Sequence, residues 1–491
     1  MNSRELMVSL VALYLLIVFM MSVLAARRVK KSEDFIVSGY GMGMFYVALA
    51  MAAEYMGGLG TIGCAERAFK NGMGVIWYHI SAAIGIAVFA IFFAHYYRKY
   101  RVQTVPEYTY YLYDVKTWKA QTVLNVIAYT TFLIIEITAL GSILAGITGM
   151  DLSLAVIIGG LFITAYVALG GMWGVAYTSL LYMATMYIGL PLAFFWILYF
   201  KVPELPGSGG LAGFTGLANA MTAKGMDPGY YFSPFSLGPA ATLGFLIGGI
   251  LAVPAAQATI NYAFGARNWK VSRLAPLFAA ALVVPLSIWT GTAGIYAKVA
   301  GLTTNPKLAL GQAFTTLPPV IGALGSAGVF AAIISTAAAI LFADATVFAR
   351  DILHRWLKPE VSDEQVLKWT RISVVCIGIL CTIGASVSLP EILRSAYFVY
   401  SLRSVTLVLV AFGIYWSRSH PDAAFWTTLL GFAAAFVYMF TPLGKILHLH
   451  VAIFTVIIAI PVFVIISLLR KWTPTTAADV PPGCKNVVGG E

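Results

Sequence analysis

The chain has 491 residues, of which 60% are hydrophobic and only 10% charged, and its formal net charge is +11 at pH 7. A composition this apolar excludes an ordinary soluble domain and is that of a polytopic membrane protein. The positive balance follows from where the basic residues lie, as set out below, and gives no reason to look for a nucleic-acid partner.

A bilayer core of about 30 Å takes roughly 20 apolar residues per helical crossing, so long gaps between charges mark the spans. Residues 6–26 form the first. They run straight into Arg27 and Arg28, whereas a signal peptide carries its positive charge ahead of the apolar core; the helix is therefore expected to stay. Residues 45–70, 71–94 and 120–150 supply the next three. Residues 152–200 hold no charge, are too long for one crossing and are interrupted at Gly170 and Gly171, so two spans are expected to turn back there. The seventh lies within 228–266, and 274–297, 308–343, 372–390, 396–416, 423–444 and 446–469 complete the set. Thirteen spans place the termini on opposite sides.

Basic residues orient the bundle. With the N-terminus outside, 21 Lys and Arg fall in inward segments and 8 in outward ones, with Arg67 and Arg403 inside spans. The C-terminus is then cytoplasmic. The polar segments are an outer loop at 201–236, an inner one at 350–371 and a Pro- and Gly-containing tail after Thr473. Cys64, Cys376, Cys381 and Cys484 suggest neither a disulfide frame nor a zinc site. There is no phosphate loop of the Gly-x-x-x-x-Gly-Lys kind and no His-Glu-x-x-His pair, and no nucleophile, base and orienting group occur together. The sequence thus argues against an ATP-driven pump and against an enzyme.

Two spans carry breaks at their centres. The second reads FYVALAMAAEYMGGLGTIGCAERAF, with Glu54 followed by Gly57, Gly58 and Gly60; the seventh reads LGFLIGGILAVPAAQATINYAF, with Gly248, Gly249, Pro254 and Gln257. Interrupted helices of this kind expose carbonyls and helix ends to a midplane cavity in transporters. The two stand five places apart in span order, so spans 2–6 and 7–11 are expected to form a 5+5 inverted repeat.

With these features the chain resembles the sodium:solute symporters, which share the inverted-repeat fold of the bacterial leucine transporter plus a leading helix. The resemblance runs from about residue 31 to 416. It rests on KKSEDFIVSGYGMG before the second span, TVPEY at 104–108, AYVALGGMWGVAYTS at 165–179, AQATINYAFGARNWKVSR at 256–273 and AAIISTAAAILFADATVFARDIL at 331–353. It implies an all-α integral membrane protein divided into a leading helix and basic loop (1–31), a symporter core (32–420, with repeats at about 41–200 and 237–416), two further spans (421–472) and a cytoplasmic tail (473–491).

Sodium takes hard oxygen ligands. Ala332, Ser335 and Thr336 stand at i, i+3 and i+4, on one face of one helix; the bland alternative is that the hydroxyls bond back to their own helix. The resemblance implies that they hold a sodium ion with the carbonyls of Ala52 and Tyr55 at the second-span break. Two departures bear on stoichiometry. The Ser-Thr pair is followed by Ala337, Ala338 and Ala339, and Thr178 by Ser179, where many members have acidic or hydroxyl residues tied to a second sodium. One sodium per cycle, or a proton in its place, is the expectation; no organic cofactor is implied.

Ionisable residues inside a bilayer are costly and mark function. The candidates for the solute cavity are Glu54, His79, Glu136 and Arg403, with Gly57, Tyr78, Gln257, Tyr397 and Tyr400 as walls. Arg403 can hold a carboxylate in a bidentate fork, which favours an organic anion or an amino acid. The alternative is an internal pair between Arg403 and Glu136 or Glu54. His79 also reads as a packing residue. The functional expectation is sodium-coupled symport of a small organic solute by alternating access in the cell (plasma) membrane. A proton-coupled carrier using Glu54 or Asp344 is the alternative; a transporter-like sensor is disfavoured by the short tail after Lys471. Solute identity and oligomeric state stay open.

Overall fold

In a computed structural model, which describes residues 2–26, 42–99, 104–388, 392–443 and 449–470, the chain is a bundle of helices. Most of the KKSEDFIVSGYGMG motif, the tail after residue 470 and Cys484 lie outside the described residues.

Helix α1 (Ser3–Ala26) lies at the periphery, with Leu13, Leu16, Ile17 and Met20 turned outward. The second span is α2 (Met44–Tyr55) and α3 (Cys64–Asn71) joined by a π-helical turn, bent by 49° at its break. The third begins with α4 (Ile76–Val88). A short helix, α5 (Val105–Leu112), then precedes α6 (Val115–Thr148). In α5 the Thr104 hydroxyl accepts from the Glu107 amide, one half of the Ser/Thr-x-x-Glu capping signature that the sequence TVPE spells.

The expected reversal at Gly170 takes an unexpected form. Backbone helix runs unbroken as α7 (Leu152–Trp196). Yet the Tyr166 hydroxyl lies 2.7 Å from that of Thr178, twelve residues on. At 1.5 Å per residue a straight helix would hold the two about 18 Å apart, so the rod folds sharply between them. Ser22 of α1 fills the bend: its hydroxyl donates to the Tyr166 carbonyl, and a methyl group on Gly170 would come within 2.0 Å of it.

The seventh span is interrupted at its expected place. It consists of α8 (Pro239–Ala252), a single 3-10 turn over Val253–Ala255 and α9 (Gln257–Gly265). Proline cannot donate to the ladder, and a helix cannot run through it at full strength. A parallel bridge joins Met42 to Ala266, so the start of the second span and the end of the seventh meet at one end of the bundle. Then follow α10 (Trp269–Val283) and α11 (Leu286–Ala300), and α12 (Pro319–Thr346) with a π-helical extension to Leu357. The remaining spans are α13 (Asp363–Ser388), α14 (Ile392–Tyr415), α15 (Pro421–Phe440) and α16 (Val451–Leu469).

Helix α12 occupies the centre. Every residue from 325 to 347 is buried, and the helix packs chiefly on α7 and α6, with α1, α2 and α13 around them. That explains a sequence apolar on all faces, because a helix without a polar face has none to give to water. Small residues set its spacing against α7: a methyl on Gly189 would reach the Leu324 carbonyl at 2.1 Å, and one on Gly328 the Leu190 side chain at 3.1 Å.

Past α12 a buried ion cluster ties α5 to the π-helical extension. Arg355 reaches Glu107 at 2.6 Å and Asp351 at 3.0 Å, while Thr104 donates to Asp351 at 2.7 Å. Asp351 is fully buried and Glu107 nearly so. Removing one partner of a buried pair strands the other charge, at about 3–5 kcal/mol. Arg355→Gln should therefore lower the thermal unfolding midpoint sharply, whereas Lys358→Gln, on an exposed neighbour, should leave it unchanged; both are read by intrinsic fluorescence in detergent.

Candidate ion and solute site

An α-helix leaves its last four carbonyls without intrahelical partners. For α2 these are the carbonyls from Ala52 to Tyr55, all buried inside the bundle, and the Met56 amide takes that of Ala53 at 3.3 Å as the helix closes. Ser335 and Thr336, on the central helix, face this end. Ser335 Oγ donates to Ala53 O at 3.0 Å and Ala332 O at 2.8 Å. Thr336 Oγ1 lies 2.6 Å from Glu54 O, 3.3 Å from Ala53 O and 3.1 Å from Ala332 O. The hydroxyl contacts thus go to Ala53 and Glu54, the middle two carbonyls of the turn, where the family resemblance pointed to its outer two, Ala52 and Tyr55. Both hydroxyls also bond back to Ala332, so the bland alternative is true as well and does not exclude the other.

The result is a cluster of hydroxyl and backbone carbonyl oxygens, a donor set of the hard, small-charge kind suited to sodium. Gly57 makes the close approach possible: a methyl there would stand 2.4 Å from Thr336 Oγ1.

Beside these oxygens lies a small enclosed cavity of about 10 Å3, room for about one water. Glu54, Gly57, Glu136, Tyr400 and Arg403 from the solute candidates line it, with Tyr55 and Thr336 from the ion set. Tyr78 and Phe132 complete the wall. Arg403 is buried, with its guanidinium carbon 4.9 Å from the Tyr129 ring centre and 4.8 Å from that of Phe132. It makes no ion pair within 4.0 Å with Glu54 or Glu136, and its Nε and Nη2 have no hydrogen-bond partner. Of the internal pairs considered above, neither is a direct contact in this conformation, though Glu54 is near enough for Arg403 to feel its charge.

Each carboxylate has another task. Glu136 Oε2 accepts from the Gly58 amide at 2.7 Å, so α6 caps an amide laid bare by the break. Glu54 accepts from Thr259 of α9 at 3.3 Å, and the same Thr259 hydroxyl bonds Tyr55. The two interrupted spans are thereby joined at their breaks. Asp344, farther along α12, accepts from Thr130 at 2.8 Å while its Oδ1 has no partner.

Three solute candidates lie off the cavity. His79 bonds Ser287 of α11 and presses its Nε2 edge on Gly60, where a methyl would meet it at 2.5 Å. Gln257 accepts from the Val105 amide, donates to Asn261 and offers its own amide to Tyr129. Its polar groups tie α5 and α6 to α9, and through Tyr129 it reaches a ring beside Arg403. Tyr397 stacks edge-on with Phe245 and His450, toward the last spans. Sequence reasoning missed Phe132 and Tyr129. Both stand on the α6 face of Glu136, four and seven residues before it, and that spacing was the available signal.

A sequence model of the sodium:solute symporter family matches residues 35–431. Among curated proteins, the uncharacterized symporter YwcA of Bacillus subtilis is 24% identical over 89% of this chain and 85% of its own. The sodium/glucose cotransporter of Vibrio parahaemolyticus is 22% identical over 84% and 81%. Among solved structures, the substrate-bound outward-open state of a Na+-coupled sialic acid symporter superposes with a TM-score of 0.78 over 95% of this chain and 98% of that one, at 19% identity.

Glu136 provides a direct check on the break. Glu136→Leu leaves the buried Gly58 amide unbonded, at about 1–3 kcal/mol, and should lower the thermal midpoint. Glu136→Gln keeps an oxygen acceptor and should lose much less.

Proposed function

Because this chain belongs to the sodium:solute symporter family, we propose that it couples sodium entry to uptake of a small organic solute bearing a carboxylate, with Arg403 receiving that group. It is a multi-pass transporter of the cell membrane, and no bond is made or broken in its cycle. The observation that carries the reading is the meeting of the Ser335 and Thr336 hydroxyls with the end carbonyls of α2.

The cation is cargo. Its ligands come from two elements, α2 and α12, so binding draws them together. Ala52, Tyr55 and Ala332 contribute carbonyls to this set, and Ser335 and Thr336 their hydroxyls. Since Gly57 and Tyr55 border both the oxygens and the cavity, a change at one is felt at the other within a single turn of chain. The solute then meets a guanidinium with unpartnered N–H groups between two aromatic rings, a fork shaped for a carboxylate. Glu54 and Glu136 lie nearby, so an amine on the same solute has acceptors within the same wall, and an amino acid fits as well as a simple acid.

Energetically one ion is enough for useful coupling: each sodium entering down 100 mV supplies about 2.3 kcal/mol before its own gradient is counted. Proton coupling remains the second reading because Asp344 is buried with a single partner.

Sodium binding to the folded chain raises its stability, by about 2.7 kcal/mol when the ion is at 100 times its Kd. Thermal unfolding in NaCl against KCl should therefore show a sodium-dependent rise, reduced at least about tenfold in affinity by Ser335→Ala or Thr336→Val, each of which removes one oxygen. A rise that is equal in both salts, or a pH dependence in place of the sodium dependence, would refute sodium coupling. A panel of small carboxylates, amines and sugars screened in NaCl should pick out carboxylates, and Arg403→Lys, which keeps the charge and loses the fork, should weaken them.

A further inference from the structure

Away from the ion site, α6 and α15 diverge and leave a groove of about 460 Å3 between them. Its α6 wall is one helix face: Lys116, Lys119, Val123 and Ile127 stand at helical spacing along it. The α15 wall is a second face, with Phe425, Leu429 and Phe432. Trp356, from the extension of α12, closes one end, and Lys119 stacks its ammonium 4.9 Å above that ring. The one hydroxyl in the lining, Thr428, donates to Ala424 and accepts from Gln121, so the walls offer nothing to a polar solute.

Three observations choose an occupant. First, the charge in the lining is of one sign and at one end, where Lys116 and Lys119 lie a turn apart. The nearest acid along the chain, Asp114, is engaged in capping the Thr117 amide. Second, the groove has the length of a leaflet: the eleven steps of α6 from residue 116 to 127 rise about 16 Å, against about 15 Å for half of the hydrocarbon core. Third, a tryptophan beneath the lysines marks the level of the headgroups, where aromatic side chains collect. On the orientation that the basic residues favour, this end is cytoplasmic.

We propose that the groove binds one anionic glycerophospholipid of the cytoplasmic leaflet, its phosphate between Lys116 and Lys119 and an acyl chain along Val123, Ile127, Leu429 and Phe432. Basic pockets between membrane helices recognise anionic headgroups in this way. Each lysine near the surface favours an anionic lipid about fivefold, so the pair should give a preference of some thirtyfold. The bound lipid would sit between α15 and the central bundle, and so would bear on how freely α6 moves. This inference is independent of the solute.

The test is native mass spectrometry of the purified full chain with equimolar phosphatidylglycerol and phosphatidylcholine of identical acyl chains. The wild type should retain phosphatidylglycerol with the preference stated. K116Q/K119Q should lose that preference, and V123W, which fills the groove, should lose retention of both lipids. K270Q/R273Q, a pair exposed at the start of α10 and outside the groove, should keep it. Four results would overturn the proposal. They are equal retention of the two lipids by the wild type, an unchanged preference in K116Q/K119Q, an equal loss in K270Q/R273Q, and a dimer peak abolished by L429W, which would make a second copy the occupant.

Discussion

A helix that stops inside a bilayer leaves carbonyls with no water to bond, and every feature of the site follows from how the end of α2 is satisfied. Unsatisfied backbone groups at that depth cost several kcal/mol each, so partners must come from elsewhere in the fold. They come from three directions. The hydroxyls of α12 take the carbonyls of Ala53 and Glu54, Glu136 of α6 takes the Gly58 amide, and Thr259 of α9 holds the Glu54 side chain. An interruption that would be a defect in a lone helix becomes a junction of four elements.

A junction of this kind suits an ion-coupled device. The hydroxyls of Ser335 and Thr336 bond carbonyls of α2 here, and under the proposed function the same hydroxyls would turn to an ion. The carboxylates beside them are occupied with backbone and hydroxyl partners, which leaves Arg403 as the charged group in the wall with N–H groups unspent. Its placement over Tyr129 and Phe132 gives the charge a face to rest on without neutralising it. The cavity that these charged groups line is small.

Much of this was legible in the chain. Charge-free gaps located the spans, and Gly57, Gly58 and Pro254 located the interruptions, because glycine and proline act on the backbone itself and need no neighbours to do so. The i, i+3, i+4 spacing put Ala332, Ser335 and Thr336 on one face. Harder to read was which neighbour a polar side chain would choose. His79 and Gln257 look like cavity residues by their polarity, yet one is held by Ser287 and the other by backbone and Asn261, contacts 208 and 152 residues away in the case of Ser287 and Val105. Phe132 and Tyr129 look like ordinary packing residues and frame the guanidinium.

The amino-acid sequence by itself determined that this is a multi-pass helical membrane protein, where its helices break, and which face of the ninth span carries the hydroxyls; all of these depend on periodicity, on the absence of charge and on local backbone chemistry. Tertiary structure alone decided that the hydroxyls meet Ala53 and Glu54, that Arg403 is unpaired while Glu54 and Glu136 are engaged, and that α7 folds back on a continuous helical backbone around Ser22. Those outcomes depend on which helices become neighbours. Packing selects neighbours over hundreds of residues, and no local pattern in the chain encodes that choice.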